Sequence, residues 1–243
     1  MRRTLLSACL LLFAFTAEAS AITIFGVNTD NRLIRFESGD PGVLTLNVAI
    51  SGLQPGEQVL GIDFRPTNRL LYALGSTGRL YRLNTATGAA TFVALLSADP
   101  SDTTAPFVGL SGSEFGFDFN PATDRIRVVS DADQNLRVNP DTGTVITDGP
   151  LEFAAGDENE GDDPQVTAIG HHNNFPDTTT TNLYGIDAAN DILVIQDLPN
   201  DGTLTTTETS FFQDVDEVNG LDFPPGSNSG VGALRFAGES VSH

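Results

Sequence analysis

"GFDFNPATDRIRVVSDADQNLRVNPDTG" runs from Gly116 to Gly143, and "GIDFRPTNRLLYALGSTGRLYRLNTATG" runs from Gly61 to Gly88. Aligned end to end, the two are one unit written twice. Each is 28 residues long, opens Gly-x-Asp-Phe-x-Pro and closes on Asn-x-x-Thr-Gly. Read alone, the stretch from Asp124 onwards resembles an acidic site, with aspartates and arginines around an alternating apolar run. Read beside its copy, it is the middle of a structural repeat.

Three weaker copies extend the pattern. Thr167 to Gln196 keeps the middle and later strands, Asn219 to Gly238 keeps the opening Gly-x-Asp-Phe, and Thr23 to Phe36 lacks the opening strand. With Asp63, Asp118, Gly170 and Asp222 as equivalent positions, the spacings are 55, 52 and 52 residues. Within the second unit, "QVLGIDF", "LLYALGS", "RLYRLNT" and "ATFVALL" are short strand signals separated by turn chemistry. Four short antiparallel strands per repeat of this length is the arithmetic of a propeller blade. The expected fold is an all-β propeller of four to five four-stranded blades, with N- and C-terminal strands closing the ring. A two-layer β-sandwich is the rival. The units fall near 22–50, 58–96, 114–149, 165–212 and 218–238, within a single domain spanning 22–243.

Residues 1–21 read as a cleaved secretory signal. Arg2 and Arg3 precede an apolar run from Leu5 to Phe15, and small residues follow at Ala17, Ala19 and Ala21. The expected location is secreted or periplasmic. The single cysteine, Cys9, leaves with the signal, so neither disulfide nor thiol chemistry is expected in the mature chain. That chain has ten arginines, no lysine and 31 carboxylates, a net charge of −21. Such a surface repels nucleic acid and anionic membranes.

At the repeat core the sequence resembles the domain-of-unknown-function 4394 family, an exported bacterial group. The likeness rests on the two 28-residue units and covers about Ile24 to Phe223. It departs at the end, where "GVGALRFAGESVSH" is shorter than the family's last repeat. The resemblance implies a propeller-like exported protein and brings no assigned catalysis.

The repeat also sorts the polar residues. Asp63, Asp118 and Asp222 recur, as do Gly88 and Gly143, so they read as structural: the aspartates as acceptors of backbone N–H groups in the turn that follows, the glycines as tight turns. Residues that do not recur are the site candidates. Asp131, Asp133 and Asn135 place oxygens at alternate positions, as in the first half of an EF-hand loop, but Thr142 stands where its glutamate belongs. Asp157, Glu158, Glu160, Asp162 and Asp163 crowd one loop, where Ca²⁺ and a simply solvated face are the two readings. Arg127 and Arg137 are the nearest counter-charges. His171 breaks the symmetry of the aspartate positions. Its neighbour His172 points to the opposite face of any strand, which does not favour zinc. No Gly-x-Ser-x-Gly, P-loop, dinucleotide fingerprint or basic stripe is present. Two function classes survive: a monomeric, non-catalytic binding module for a protein or glycan ligand, with Ca²⁺ as a candidate stabilising ion, and a hydrolase or lyase acting on a carbohydrate or lactone through channel carboxylates.

Overall fold

The computed structural model describes residues 21–210 and 215–236. Residues 1–20, which hold Cys9 and nearly all of the expected signal, and His243 lie outside the described residues. So do the junction 211–214 and the last seven residues. Among the described residues every regular element is a strand.

Five sheets follow one another along the chain. The first joins β1 (Thr23–Val27), β2 (Arg32–Glu37) and β3 (Leu46–Ala49). The second joins β4 (Val59–Phe64), β5 (Leu71–Gly75), β6 (Arg79–Leu83) and β7 (Ala90–Leu95). The third orders β8 (Ser97–Ala98), β12 (Thr144–Thr147), β11 (Asn135–Val138), β10 (Arg125–Ser130) and β9 (Phe115–Asn120). The fourth repeats that order with β13 (Glu152–Phe153), β17 (Thr203–Ser210), β16 (Ile192–Leu198), β15 (Leu183–Asp187) and β14 (Val166–His171). The last pairs β18 (Val215–Asp222) with β19 (Val231–Phe236).

The apolar core lies between sheets, in four separate clusters, one at each successive interface. Leu33 of the first sheet packs with Leu71, Ala73 and Tyr81 of the second. Tyr72, Leu74 and Leu80 meet Phe117, Phe119 and Val128 of the third. Val129 meets Val166, Ile169 and Leu183 of the fourth, and Ala168 and Ile186 meet Leu221 and Leu234 of the last. Each central sheet is therefore covered on both faces. That explains why β5 and β14 are buried at every position instead of alternating. Stacked sheets around an axis make a β-propeller, and the sandwich, which has one core between two sheets, is excluded. Three blades are complete. The first sheet supplies the last three strands of a blade and the last sheet the first two, within the four to five blades that the repeat arithmetic predicts.

One device locks each blade to the next. On leaving a blade, the chain runs parallel to the outer strand of the following blade before turning inward. β8 pairs β12 and β13 pairs β17 in this way, and Ser51 bridges Ala89 at the equivalent place. The closing Asn-x-x-Thr-Gly turn shapes that contact. Asn84 and Asn139 accept N–H groups of the residues two and three positions on, and Gly88 and Gly143 both sit at φ +72°.

Glu57, in the link ahead of β4, is a buried tie that the repeat pattern does not reveal. Its carboxylate accepts the Tyr81 hydroxyl at 2.6 Å, the Gln54 N–H at 3.0 Å and the Thr77 hydroxyl. Burial acts to raise its pKa, but these three donors outweigh it and hold the group below 4.5. A depressed carboxylate contributes stability above its unfolded pKa and loses it as pH falls through the folded value. Glu57→Gln is expected to cost about 1–3 kcal/mol at pH 7. The gap from the parent protein in denaturant melts should close as pH falls below the ordinary carboxylate range. A gap independent of pH would contradict this role.

Candidate functional site

The innermost strands β4, β9, β14 and β18 stand side by side around the axis, and they carry the four equivalent positions of the repeat. A ring places such positions at one height around one centre. Accordingly, carboxylate oxygens of Asp63, Asp118 and Asp222 all lie within 4.8 Å of one another. Among the described residues this is the one group of three or more His, Cys, Asp or Glu side chains close enough to hold a metal ion.

The aspartates hold backbone both locally and between blades. Asp63 Oδ2 accepts the Phe119 N–H at 2.7 Å, and Asp118 Oδ2 accepts the His171 N–H at 3.0 Å. Each reaches the residue following the equivalent position of the next blade, more than 50 residues away in sequence. Two local donors join them, the Phe64 N–H on Asp63 Oδ1 and the Phe223 N–H on Asp222. The expected local contact is present at Asp63 and Asp222, and the carboxylates of Asp63 and Asp118 also tie blade to blade at the axis.

The third complete blade has Gly170 at this position. A side chain there would press on Phe223 and Leu221. The next residue, His171, turns its ring inward, with Nδ1 2.6 Å from Asp118 Oδ2. His171 is 2% exposed, and Asp118 equally so. Burial, with Arg127 and His172 nearby, pushes the imidazole down to about 3. The ring is therefore neutral in ordinary buffers, and one hydrogen bond joins its Nδ1 to Asp118 Oδ2. Burial drives the Asp63 and Asp118 carboxyls well above the ordinary carboxylate range, and the neighbouring carboxylates of the cluster add to it. Asp222 is the exposed member of the group. Asn174, 5% exposed, hydrogen-bonds Asp222 and donates from Nδ2 to the Phe223 carbonyl, while its Oδ1 is buried with no partner. His172 faces elsewhere, accepting the Asn182 N–H and packing edge-on to Tyr184.

The other candidates do not gather into such a group. Asp131 accepts the Ser113 N–H and hydroxyl and the Glu114 N–H, pinning a neighbouring loop. Asn135 is consumed in packing: its oxygen accepts from Arg127, and its amide donates to the Gly149 and Pro199 carbonyls. Asp133 lies near Asp163, with a buried, unpartnered Oδ1. Asp157 accepts N–H groups of Asn159 and Thr206 and the Thr206 hydroxyl. Glu160 accepts the Gly156 N–H, and Glu158, Asp162 and Asp163 lie at the surface. Arg127 and Arg137 do not neutralise the 131–135 turn. Both bind Asp148, each at 2.7 Å, and Arg127 also donates to Asn200 of the following blade. Sequence reading missed Asp148, Asn174 and Glu57, none of which belongs to the quoted repeat core.

The family described as a domain of unknown function (DUF4394) matches residues 32–242, nearly the whole chain. The chain belongs to this family. No curated protein matches it at a significant level. Among solved structures, a Bacteroides thetaiotaomicron protein of unknown function is similar, with a TM-score of 0.54 at 14% identity. The match covers 84% of this chain and 52% of that one, so this chain spans about half its length. A Myxococcus xanthus glutaminyl cyclase gives a TM-score of 0.51 at 11% identity, over 84% of this chain and 77% of its own. At such identities the likeness shows the fold alone.

Proposed function

We propose that this family member is exported and serves as a non-catalytic binding module, presenting the propeller to a protein or glycan ligand. The observation that carries this reading is the commitment of the axial side chains to holding the ring. Asp63 and Asp118 each accept a backbone N–H from the next blade, and His171 is sealed against Asp118 at 2% exposure. A proton-transferring group has to reach its substrate, and this imidazole is closed off. The acidic, lysine-free surface favours basic or neutral partners over nucleic acid. The N-terminal charge and apolar pattern supports export.

One observation favours the second reading, a hydrolase or lyase acting on a carbohydrate or lactone. The Nδ1–Oδ2 contact of His171 and Asp118 is the geometry of a base held by its orienting carboxylate. The two readings part in one experiment. The mature protein is screened against glycan and peptide arrays and, in parallel, against chromogenic glycosides and lactones, with His171→Asn beside it. The binding module predicts a ligand retained by His171→Asn, with no turnover in either protein. Turnover that falls at least 100-fold in His171→Asn would replace the first reading with the second.

A further inference from the structure

Buried carboxylates are ordinarily paired with a cation or left protonated, because an isolated charge away from water is costly. Asp63 and Asp118 are 7% and 2% exposed, yet among the described residues no arginine pairs with either. Arg65 is spent on Asp124 and Asp141, Arg127 on Asp148. The close partner of Asp118 is the His171 imidazole, with Nδ1 2.6 Å from Oδ2. Among the described residues, three acids thus share one small volume with no arginine paired to them.

We propose that the axial cluster of Asp63, Asp118 and Asp222, completed by Asn174 Oδ1, binds one hard divalent cation of the Ca²⁺ type. The donor set is all oxygen, which suits Ca²⁺ over softer metals. Oxygens bound at about 2.3–2.6 Å from one ion lie no further apart than about 5 Å, and the three carboxylates meet that limit at 4.8 Å. Asn174 is the independent pointer. It is 95% buried, hydrogen-bonds the exposed ligand Asp222, and holds a buried oxygen with no partner among the described residues. An orphaned buried acceptor is rare and calls for a donor or a cation. Asp222, at the open end of the cluster, leaves an entry path. The ion would act at the point where inner strands of three blades meet. This site is distinct from the surface loop at 157–163 and from the turn at 131–135, and it stands whether or not the protein is a binding module.

The test is calorimetric titration of Ca²⁺ into the chelator-treated full-length mature protein, with thermal melts in parallel. Asp222→Asn removes a ligand charge at the exposed end. Asn174→Ala keeps all three carboxylates and removes the amide oxygen, so it still reports if Asp222→Asn fails to fold. A triple loop variant, Glu158→Gln with Asp162→Asn and Asp163→Asn, reports on the competing acidic segment. The expected result is one Ca²⁺ per chain and a melting temperature that rises with Ca²⁺. Affinity should be at least tenfold weaker in Asp222→Asn and Asn174→Ala, and unchanged in the loop variant. No heat and no melting shift at millimolar Ca²⁺ would overturn the proposal, as would binding lost in the loop variant or undiminished in both axial variants.

Discussion

Gly143→Ala is expected to destabilise the protein by about 2–4 kcal/mol. Two effects add. A non-glycine residue at φ +72° costs about 1 kcal/mol in backbone strain. The new Cβ would also stand 2.5 Å from the Leu95 carbonyl oxygen and 2.9 Å from the Ala94 Cβ, and overpacking of this kind costs about 1–3 kcal/mol. The contact is the seam where the chain leaving one blade passes the closing turn of the next, so the cost falls on blade-to-blade cohesion. Gly226→Ala is the internal comparison. Gly226 sits at φ +79° with nothing within 4 Å of its would-be Cβ, so only the strain of about 1 kcal/mol remains. Equal losses at the two positions in denaturant melts would show that the seam contributes nothing.

Asp148→Asn is expected to cost about 3–5 kcal/mol, because it leaves Arg127 charged and buried without a carboxylate. Both side chains of that pair are 5% exposed, and Asp148 also holds Arg137 in a two-point contact. Burial already lowers the Arg127 pKa, and Asp148 is what opposes that. The contrast is Asp141→Asn. Asp141 shares Arg65 with Asp124, but its side chain is 64% exposed, so its loss should cost less than about 1 kcal/mol. The same melts check this ordering, and an Asp148→Asn loss no larger than that of Asp141→Asn would refute it. Asp148 thereby explains why two arginines stand in the repeat that looked like an acidic site: both pair with the following link, and Arg127 also donates to Asn135.

The blade was legible because it is written in local signals. The strands β4 to β7 lie under the apolar runs quoted for the second unit, and Asn84 and Asn139 cap their turns as Asn does within a few residues. The convergence at the axis was not legible in the same way. Asp63 and Asp118 recur, and recurrence was read as a sign of local duty within each blade. In a ring that inference is incomplete, because symmetry also carries equivalent residues to a common centre. The repeat itself was the signal, once the propeller was taken as geometry and not only as a strand count. Asn174 and Asp148 carried no such signal: their partners are set by how one blade docks on the next. His171 was visible as a break in the pattern, though its partner Asp118, 53 residues away, was not.

The central claim is that the recurring aspartates meet at the axis and form an ion site there. A high-resolution crystal structure grown with Ca²⁺ tests it most directly. A single cation peak is expected within about 2.3–2.6 Å of oxygens from Asp63, Asp118 and Asp222, with Asn174 Oδ1 turned toward it. Carboxylates that stand apart, or an axis holding only water while Ca²⁺ occupies the 157–163 loop, would contradict it.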